Sequence, residues 1–444
     1  MDRFDAIVIG TGVAGQTAAG ELAAAGMRVA VIDKREFGGT CALRGCEPKK
    51  VLFTAAEPVE RVASQAGNGV AGSARMDWPA LMAFKRTFTD PVPAETEEWL
   101  AGTGAVLLHG TAQFDSEETI RVGEARYAAE HFVIATGAVP RNLGIPGAGL
   151  VVDSEGFMAS DTLAGRVAFI GGGYISMEFA HIAAAAGAHV VILHRGSRIL
   201  EGFDPDLVDM LARGYVGAGI EIRTGVVVTE VRRSGGALEI VCSTGDVVSC
   251  DIAVHGAGRV PDIEELRLDL AGVAYGRGGV EVDERMRSTT NPRVFAVGDA
   301  AASGIPLTPV GIAQGMIAAA NILRPGTASF SGAVTPSVVF SDPPLASIGL
   351  TEAQAREGGL DVEVKLIDTT SWAASRRVGQ RISGAKTIVE RGTDRIVGAH
   401  LLGHGSDEVI NVFAAAMVGG LTATTLRSAV WAYPTAGSDI AYLL

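Results

Sequence analysis

Cys41 and Cys46 stand five residues apart in the segment Gly38-Gly39-Thr40-Cys41-Ala42-Leu43-Arg44-Gly45-Cys46-Glu47-Pro48-Lys49-Lys50. A close, exchangeable pair of this kind takes electrons from a neighbouring cofactor and passes them on as a dithiol. Pro48 suits the first turn of a helix, and a helix start there favours the Cys46 thiolate. Two blander readings compete, a structural staple and a pair of inert buried thiols. The flanking glycines, the lysines and the unit upstream count against both. A metal site is a weaker reading, since no second Cys/His pair lies nearby.

The elements upstream would set that pair beside a nucleotide. Ala6-Ile7-Val8-Ile9 reads as a strand, Gly10-Thr11-Gly12-Val13-Ala14-Gly15 as a glycine turn, the alanine-rich stretch to about Ala25 as a helix, and Arg28 to Ile32 as a second strand ending at Asp33. This is a Rossmann fingerprint: Gly10 makes the tight turn, Gly12 lets backbone reach a pyrophosphate, Gly15 allows close helix packing, and the Asp33 carboxylate holds a ribose diol. The pattern returns from Arg166 to Arg195, with Gly171-Gly172-Gly173-Tyr174-Ile175-Ser176 as its turn and Ser176 in place of the third small residue. Two dinucleotide sites on one chain imply electron traffic between two cofactors. The second repeat ends in His194-Arg195 with Arg198 close behind and carries no carboxylate there. A cation at that place accommodates a 2′-phosphate, which favours NADPH over NADH; the competing reading makes Arg195 a solvated strand-end residue. Ala135-Thr136-Gly137, Gly256-Ala257-Gly258 and Val297-Gly298-Asp299 end further apolar strands. Such glycines and an aspartate suit contacts to a ribityl chain and phosphates.

The whole chain fits this picture. Its 444 residues allow two to four domains. The 58 glycines far exceed the usual share of about 7%. The formal net charge of −13 and the lack of a basic run exclude nucleic acid and anionic membrane as obvious partners. Four cysteines, with no signal peptide before the first strand, point to a reducing, cytoplasmic setting. The apolar stretch Val167 to Leu193 is broken by glycines, Glu178, His181 and His189, so it reads as a buried βαβ unit rather than a membrane span.

Together the cysteine segment, both fingerprints, Ala135-Thr136-Gly137, Val297-Gly298-Asp299, Thr335-Pro336-Ser337-Val338-Val339-Phe340 and Ile396-Val397-Gly398-Ala399-His400 resemble the pyridine nucleotide-disulfide oxidoreductases of the glutathione reductase, lipoamide dehydrogenase and mercuric reductase type. The resemblance covers essentially the whole chain. It implies an α/β fold: an FAD-binding domain at 1–145, an NAD(P)H-binding domain at 146–262, a return to the central FAD domain at 263–330 and a C-terminal α+β dimerisation domain at 331–444. It implies a homodimer acting on a small-molecule substrate, with each active site completed by the partner's C-terminal tail. By the same resemblance Gly10, Gly12, Gly15, Asp33, Lys34, Gly39, Thr40, Lys50, Ala135, Thr136, Gly137, Asp299 and Thr308 line the FAD site. Gly171, Gly173, Tyr174, His194, Arg195, Arg198 and Gly258 take NADPH, with NADH as the alternative, and no metal is held. Cys46 is the thiol against the flavin and Cys41 the interchange thiol. Tyr174 is the ring that gates the nicotinamide, and Glu178 pairs with a lysine near the flavin, Lys49 in preference to Lys50.

One departure bears on substrate. Where glutathione and lipoamide enzymes carry His-Pro-Thr-x-x-Glu, this chain has Tyr433-Pro434-Thr435-Ala436-Gly437-Ser438. A phenol with a reference pKa of about 10 does not readily cycle protons at neutral pH, and losing acid/base catalysis costs roughly 10²- to 10⁴-fold. Acceptors needing little acid catalysis follow: activated or mixed disulfides, soft metal ions, or quinones reduced directly by flavin. Mercuric reductase carries a tyrosine at this place, but this chain's last residues contain no cysteine pair. Cys242 and Cys250 read as core residues, and Arg376, Arg377 and Arg381 as a solvated loop, a dimer contact or an anion-recognising surface. A redox sensor that uses its disulfide as a switch is the reading from outside catalysis.

Overall fold

A computed structural model describes residues 1–332 and 334–444. The chain divides into two compact units, the first made of Met1–Pro48, Phe84–Arg141 and Arg259–Gly332, the second of Lys49–Ala83, Asn142–Gly258 and Ala333–Leu444.

The first unit is built on a seven-stranded sheet. Strands Val106–His109, Val29–Asp33, Asp2–Ile9 and Ala125–Ile134 follow one another in parallel, Thr119–Val122 and Ala112–Ser116 continue antiparallel, and Val294–Ala296 pairs with Ala125–Ile134. Ala6, Ile7, Val8, Val31 and Ile32 are fully buried. A parallel strand covered on both faces must be apolar at every position, which is why these strands read as unbroken hydrophobic runs. The first strand turns at Gly10 into the helix Val13–Ala24, which ends before Gly26 (φ +85°). A Cβ on Gly10 (φ +108°) would collide with the Ala135 carbonyl, so only glycine fits that turn. The helix Thr308–Leu323 packs on Val13–Ala24, and Gly315 brings its backbone against the Ala14 carbonyl.

The second unit repeats the motif. Strands Glu221–Arg223, His189–Leu193, Arg166–Ile170 and Ile252–His255 form a four-stranded parallel sheet, with Gly171 (φ +112°) turning the chain into the helix Tyr174–Ala185. The stretch from Val167 to Leu193 is thus strand, helix and strand, and among the described residues no helix is long and apolar enough to cross a membrane. Cys242 and Cys250 end adjacent strands of a small antiparallel sheet and are buried; burial pushes the Cys250 thiol up to about 11. The C-terminal part is a five-stranded antiparallel sheet in the order Ser337–Val339, Leu345–Gly349, Arg395–Leu402, Gly384–Glu390, Val362–Asp368. The helix Ser406–Val418 covers it through Ile410 and Phe413. The architecture is therefore α/β with two Rossmann-type units and a C-terminal α+β part.

Candidate active site

The dithiol segment is fixed by backbone approach. Gly39 passes so close to Gly12 that a Cβ would strike the Gly12 backbone, and Gly38 N donates to Thr11 Oγ1 (3.2 Å). Cys41 lies in the short helix Gly39–Arg44, Gly45 breaks the chain, and Cys46 opens the helix Cys46–Ser64, with Pro48 inside its first turn. Both cysteines are thiols, Cys41 half-buried and Cys46 exposed. The Thr308 hydroxyl donates to Cys41 Sγ (3.1 Å) and lies 3.8 Å from Cys46 Sγ. The sequence assigns Thr308 to the flavin; here its hydroxyl sits between two sulfurs. The hydrogen bond with Cys46 and burial push the Cys41 thiol well up, while Thr308 acts against that rise. Coupled thiols lose their protons in two separate steps. Cys46, first residue of a 19-residue helix, is the better placed of the two to carry negative charge.

Around the first fingerprint the residues suit a dinucleotide. The helix Val13–Ala24 starts at Gly12 with no side-chain cap, a Cβ on Gly12 would meet open space, and Thr136 Oγ1 is buried without a hydrogen-bond partner. Free helix N–H groups, room beside them and an orphaned hydroxyl are what a pyrophosphate and its sugar satisfy. Asp33 Oδ2 accepts from Thr11 N (2.8 Å) and Thr11 Oγ1 (2.6 Å). Thr11, not singled out by sequence, thus ties the Asp33 carboxylate to the dithiol segment. Lys34 is held by Asp262 (3.0 Å) and Glu265 (2.6 Å), so its ammonium is directed to those carboxylates. Burial raises the Asp299 pKa, against the nearby Arg259 charge. Thr40 lies in the Cys41 helix, and Gly137 takes φ +70° just after Thr136.

In the second unit Glu178 is buried in the helix Tyr174–Ala185. Lys49 Nζ lies 2.6 Å and Lys50 Nζ 3.1 Å from its Oε2, and Phe340 N donates to Oε1 (2.9 Å). Burial alone would raise the Glu178 pKa; the two ammonium groups and the Phe340 N–H reverse this and hold it below the usual carboxylate value. The sequence prefers Lys49 to Lys50, whereas the structure gives the carboxylate both. Lys49 also lies over the Tyr174 ring (5.0 Å), and Tyr174 is partly exposed. A buried carboxylate shared by two cations is stably ionised and leaves net positive charge at the site.

The second fingerprint also suits a dinucleotide. The helix Tyr174–Ala185 begins at Gly173 without a side-chain cap, and Gly171 and Gly258 take positive φ. Ser176 packs against Gly256, where a Cβ would collide with its hydroxyl. His194 Nδ1 accepts from Gly172 N (3.0 Å). Arg198 is paired with Asp209 (2.9 Å), while Arg195 is exposed and makes no ion pair among the described residues.

Tyr433 is 80% exposed. Ser438 donates its N–H to Thr435 Oγ1 (3.1 Å), and Thr435 N donates to Ser438 Oγ (3.3 Å), so the serine at the glutamate's place is spent on capping its own turn. His400 is buried between Ser347 Oγ (2.7 Å) and the Leu350 carbonyl (3.1 Å), and His404 contacts Arg61 (3.3 Å).

Residues 4–315 match the model of the pyridine nucleotide-disulphide oxidoreductases, and residues 335–442 match the dimerisation domain of the same enzymes. The chain is 34% identical to a glutathione reductase of Burkholderia cepacia over 99% of this chain and 98% of that one. It is 30% identical to a dihydrolipoyl dehydrogenase of Bacillus subtilis over 98% and 94%. Among solved structures, the Cu(II) complex of the HOCl-induced flavoprotein disulfide reductase RclA of Escherichia coli superposes with a TM-score of 0.90 at 29% identity, covering 100% of this chain and 99% of that one.

Proposed function

Because the chain belongs to the pyridine nucleotide-disulphide oxidoreductase family, we propose that it is a flavoenzyme that takes electrons from NADPH and delivers them through Cys41 and Cys46 to an activated or mixed disulfide. The FAD and NAD(P)H of this family supply a two-electron carrier and its reductant. Residues 1–145 and 263–330 hold the first, 146–262 hold the second, and 331–444 form a homodimer whose tails complete the two sites. Glu178 keeps Lys49 and Lys50 charged, and these cations would favour the anionic form of a reduced flavin. Tyr174, at the start of the second nucleotide-binding helix, would gate the nicotinamide. Cys41 attacks the substrate disulfide, the mixed disulfide forms as one substrate thiolate leaves, and Cys46 then closes the Cys41–Cys46 bond and releases the second.

One observation carries the choice of substrate: the tail offers a phenol, Tyr433, with Ser438 beyond it spent on capping its own turn. A phenol with a reference pKa of about 10 and a capping serine are poorly suited to protonating a leaving thiolate near neutral pH. Disulfides with low-pKa thiols leave without that help. A second reading, reduction of a soft metal ion, is favoured by two thiols around one hydroxyl and by the solved relative described as a Cu(II) complex.

NADPH consumption tests this with aromatic and alkyl disulfides, Cu(II), mercuric ion and quinones as acceptors, each with Cys41→Ser beside the wild type. Turnover of aromatic disulfides that the variant abolishes supports the disulfide reading, and metal turnover lost in the same variant moves the assignment to the second reading. Quinone turnover alone, equal in both proteins, would place the electron exit at the flavin and end the disulfide proposal.

A further inference from the structure

The loop after the second strand of the nucleotide-binding repeat holds a carboxylate that the sequence motif does not include. Gly172 N donates to His194 Nδ1 (3.0 Å), so Nδ1 is the acceptor and the neutral ring carries its proton on Nε2. That Nε2 is buried without a hydrogen-bond partner, a donor with nothing to donate to. Glu201 Oε1 lies 3.4 Å away, close by but not hydrogen-bonded. The Glu201 side chain folds over Gly196 so closely that a Cβ on Gly196 would strike Oε1 and approach His194 Nε2 at 2.7 Å. The Glu201 side chain is nevertheless 69% exposed, so its carboxylate closes the loop from the solvent side and is free to leave.

Around this closure the charges are unequal. Arg198 is neutralised by Asp209 through two hydrogen bonds (2.9 and 3.3 Å). Arg195 is exposed and has no ion pair among the described residues. The loop therefore offers an anion one unengaged guanidinium and one buried imidazole N–H, and the carboxylate in front of them is the chain's own.

We propose that Glu201 is a lid on the subsite for the 2′-phosphate of NADP(H), occupying with its carboxylate the place beside His194 Nε2 that the phosphate takes when it binds. The inference rests on the reading of this repeat as the NAD(P)H site. Bound NADP(H) displaces the Glu201 side chain to solvent, and His194 and Arg195 then face the phosphate. NAD(H), with a 2′-hydroxyl, leaves the lid closed, and the carboxylate is in a position to accept from that hydroxyl. Glu201 thus narrows the preference for NADPH that Arg195 creates. It is a specificity-determining residue, distinct from the groups that carry electrons.

Isothermal titration of the FAD-loaded dimer with NADP⁺ and with NAD⁺ reads this without turnover. Glu201→Ala removes a competing and repelling carboxylate, so NADP⁺ binds roughly ten-fold tighter while NAD⁺ binds equally or more weakly. Glu201→Gln, which keeps the shape and removes the charge, moves the ratio in the same direction. Adding His194→Ala to Glu201→Ala cancels most of the gain. An NADP⁺/NAD⁺ ratio unchanged by both Glu201 variants overturns the lid while leaving the nucleotide site in place. Failure of the wild type to bind either dinucleotide overturns the assignment of the site, and the lid with it.

Discussion

At the scale of single residues, Thr308 ties the thiols to the fold. Its hydroxyl reaches Cys41 Sγ from 267 residues further along the chain, held there by a helix whose glycines let it approach Ala14. A hydrogen bond to a charged acceptor is worth about 1.5–3 kcal/mol, or roughly one pKa unit or more. The bond stabilises the thiolate of Cys41, and removing it moves the titration of that thiol upward. In a Cys46→Ser background, which removes the coupling between the sulfurs, adding Thr308→Val is expected to shift the pH profile of Cys41 alkylation upward by about one unit. An unmoved profile would show the hydroxyl to be idle. The cysteine pair itself was legible because its spacing and flanking residues are local. The Thr308 contact was not, since no local signal links positions so far apart. The same holds for the Phe340 N–H, which reaches Glu178 from a distant segment. Glu201 is closer in sequence to its target, but only the folded loop turns it back over His194.

At the scale of elements, the two fingerprints were legible because their glycines answer to backbone constraints that the sequence states directly. Gly10 and Gly171 both take a φ near +110°, and each passes a carbonyl too closely for a Cβ. The third position differs. In the first repeat Gly15 brings the helix against the Gly10 carbonyl, whereas in the second Ser176 adds a hydroxymethyl and the facing strand end provides the space as Gly256. The small residue has changed sides of the contact, a compensation that reading one motif at a time does not reveal. Gly256→Ala drives a methyl into the fully buried Ser176 hydroxyl, and overpacking of this kind costs about 1–3 kcal/mol. Adding Ser176→Ala removes the nearest obstructing atom, so the double variant is expected to be less destabilised than the two single losses added together. Urea unfolding of all four proteins measures the coupling; strict additivity would mean that helix and strand end do not meet there.

At the scale of the whole molecule, the response to acid follows from where the titratable groups are buried. Burial lowers the pKa of His131, His181, His400 and His404, four of the eight histidines. The charges near them do not reverse this: His181 has Asp342 nearby, His400 has Asp204 and Lys386, and His404 has Arg61, Arg377, Asp407 and Asp342. A histidine whose folded pKa lies below its unfolded value of about 6.5 adds stability above that pH and loses it as the pH falls through the folded pKa. Glu178, held below the usual carboxylate value, follows the same sign further down, because its ion pairs with Lys49 and Lys50 last until the pH falls through its own lowered pKa. The melting temperature of the FAD-loaded protein is therefore expected to fall between pH 7 and pH 5, ahead of the carboxylate range, and to fall again in stronger acid. Scanning calorimetry at constant ionic strength follows both steps. His400→Gln has no imidazole to charge between Ser347 and the Leu350 carbonyl, so it flattens the first step while leaving the second. A melting temperature constant from pH 7 to pH 5 would mean that the buried imidazoles already accept protons in the folded state at little cost.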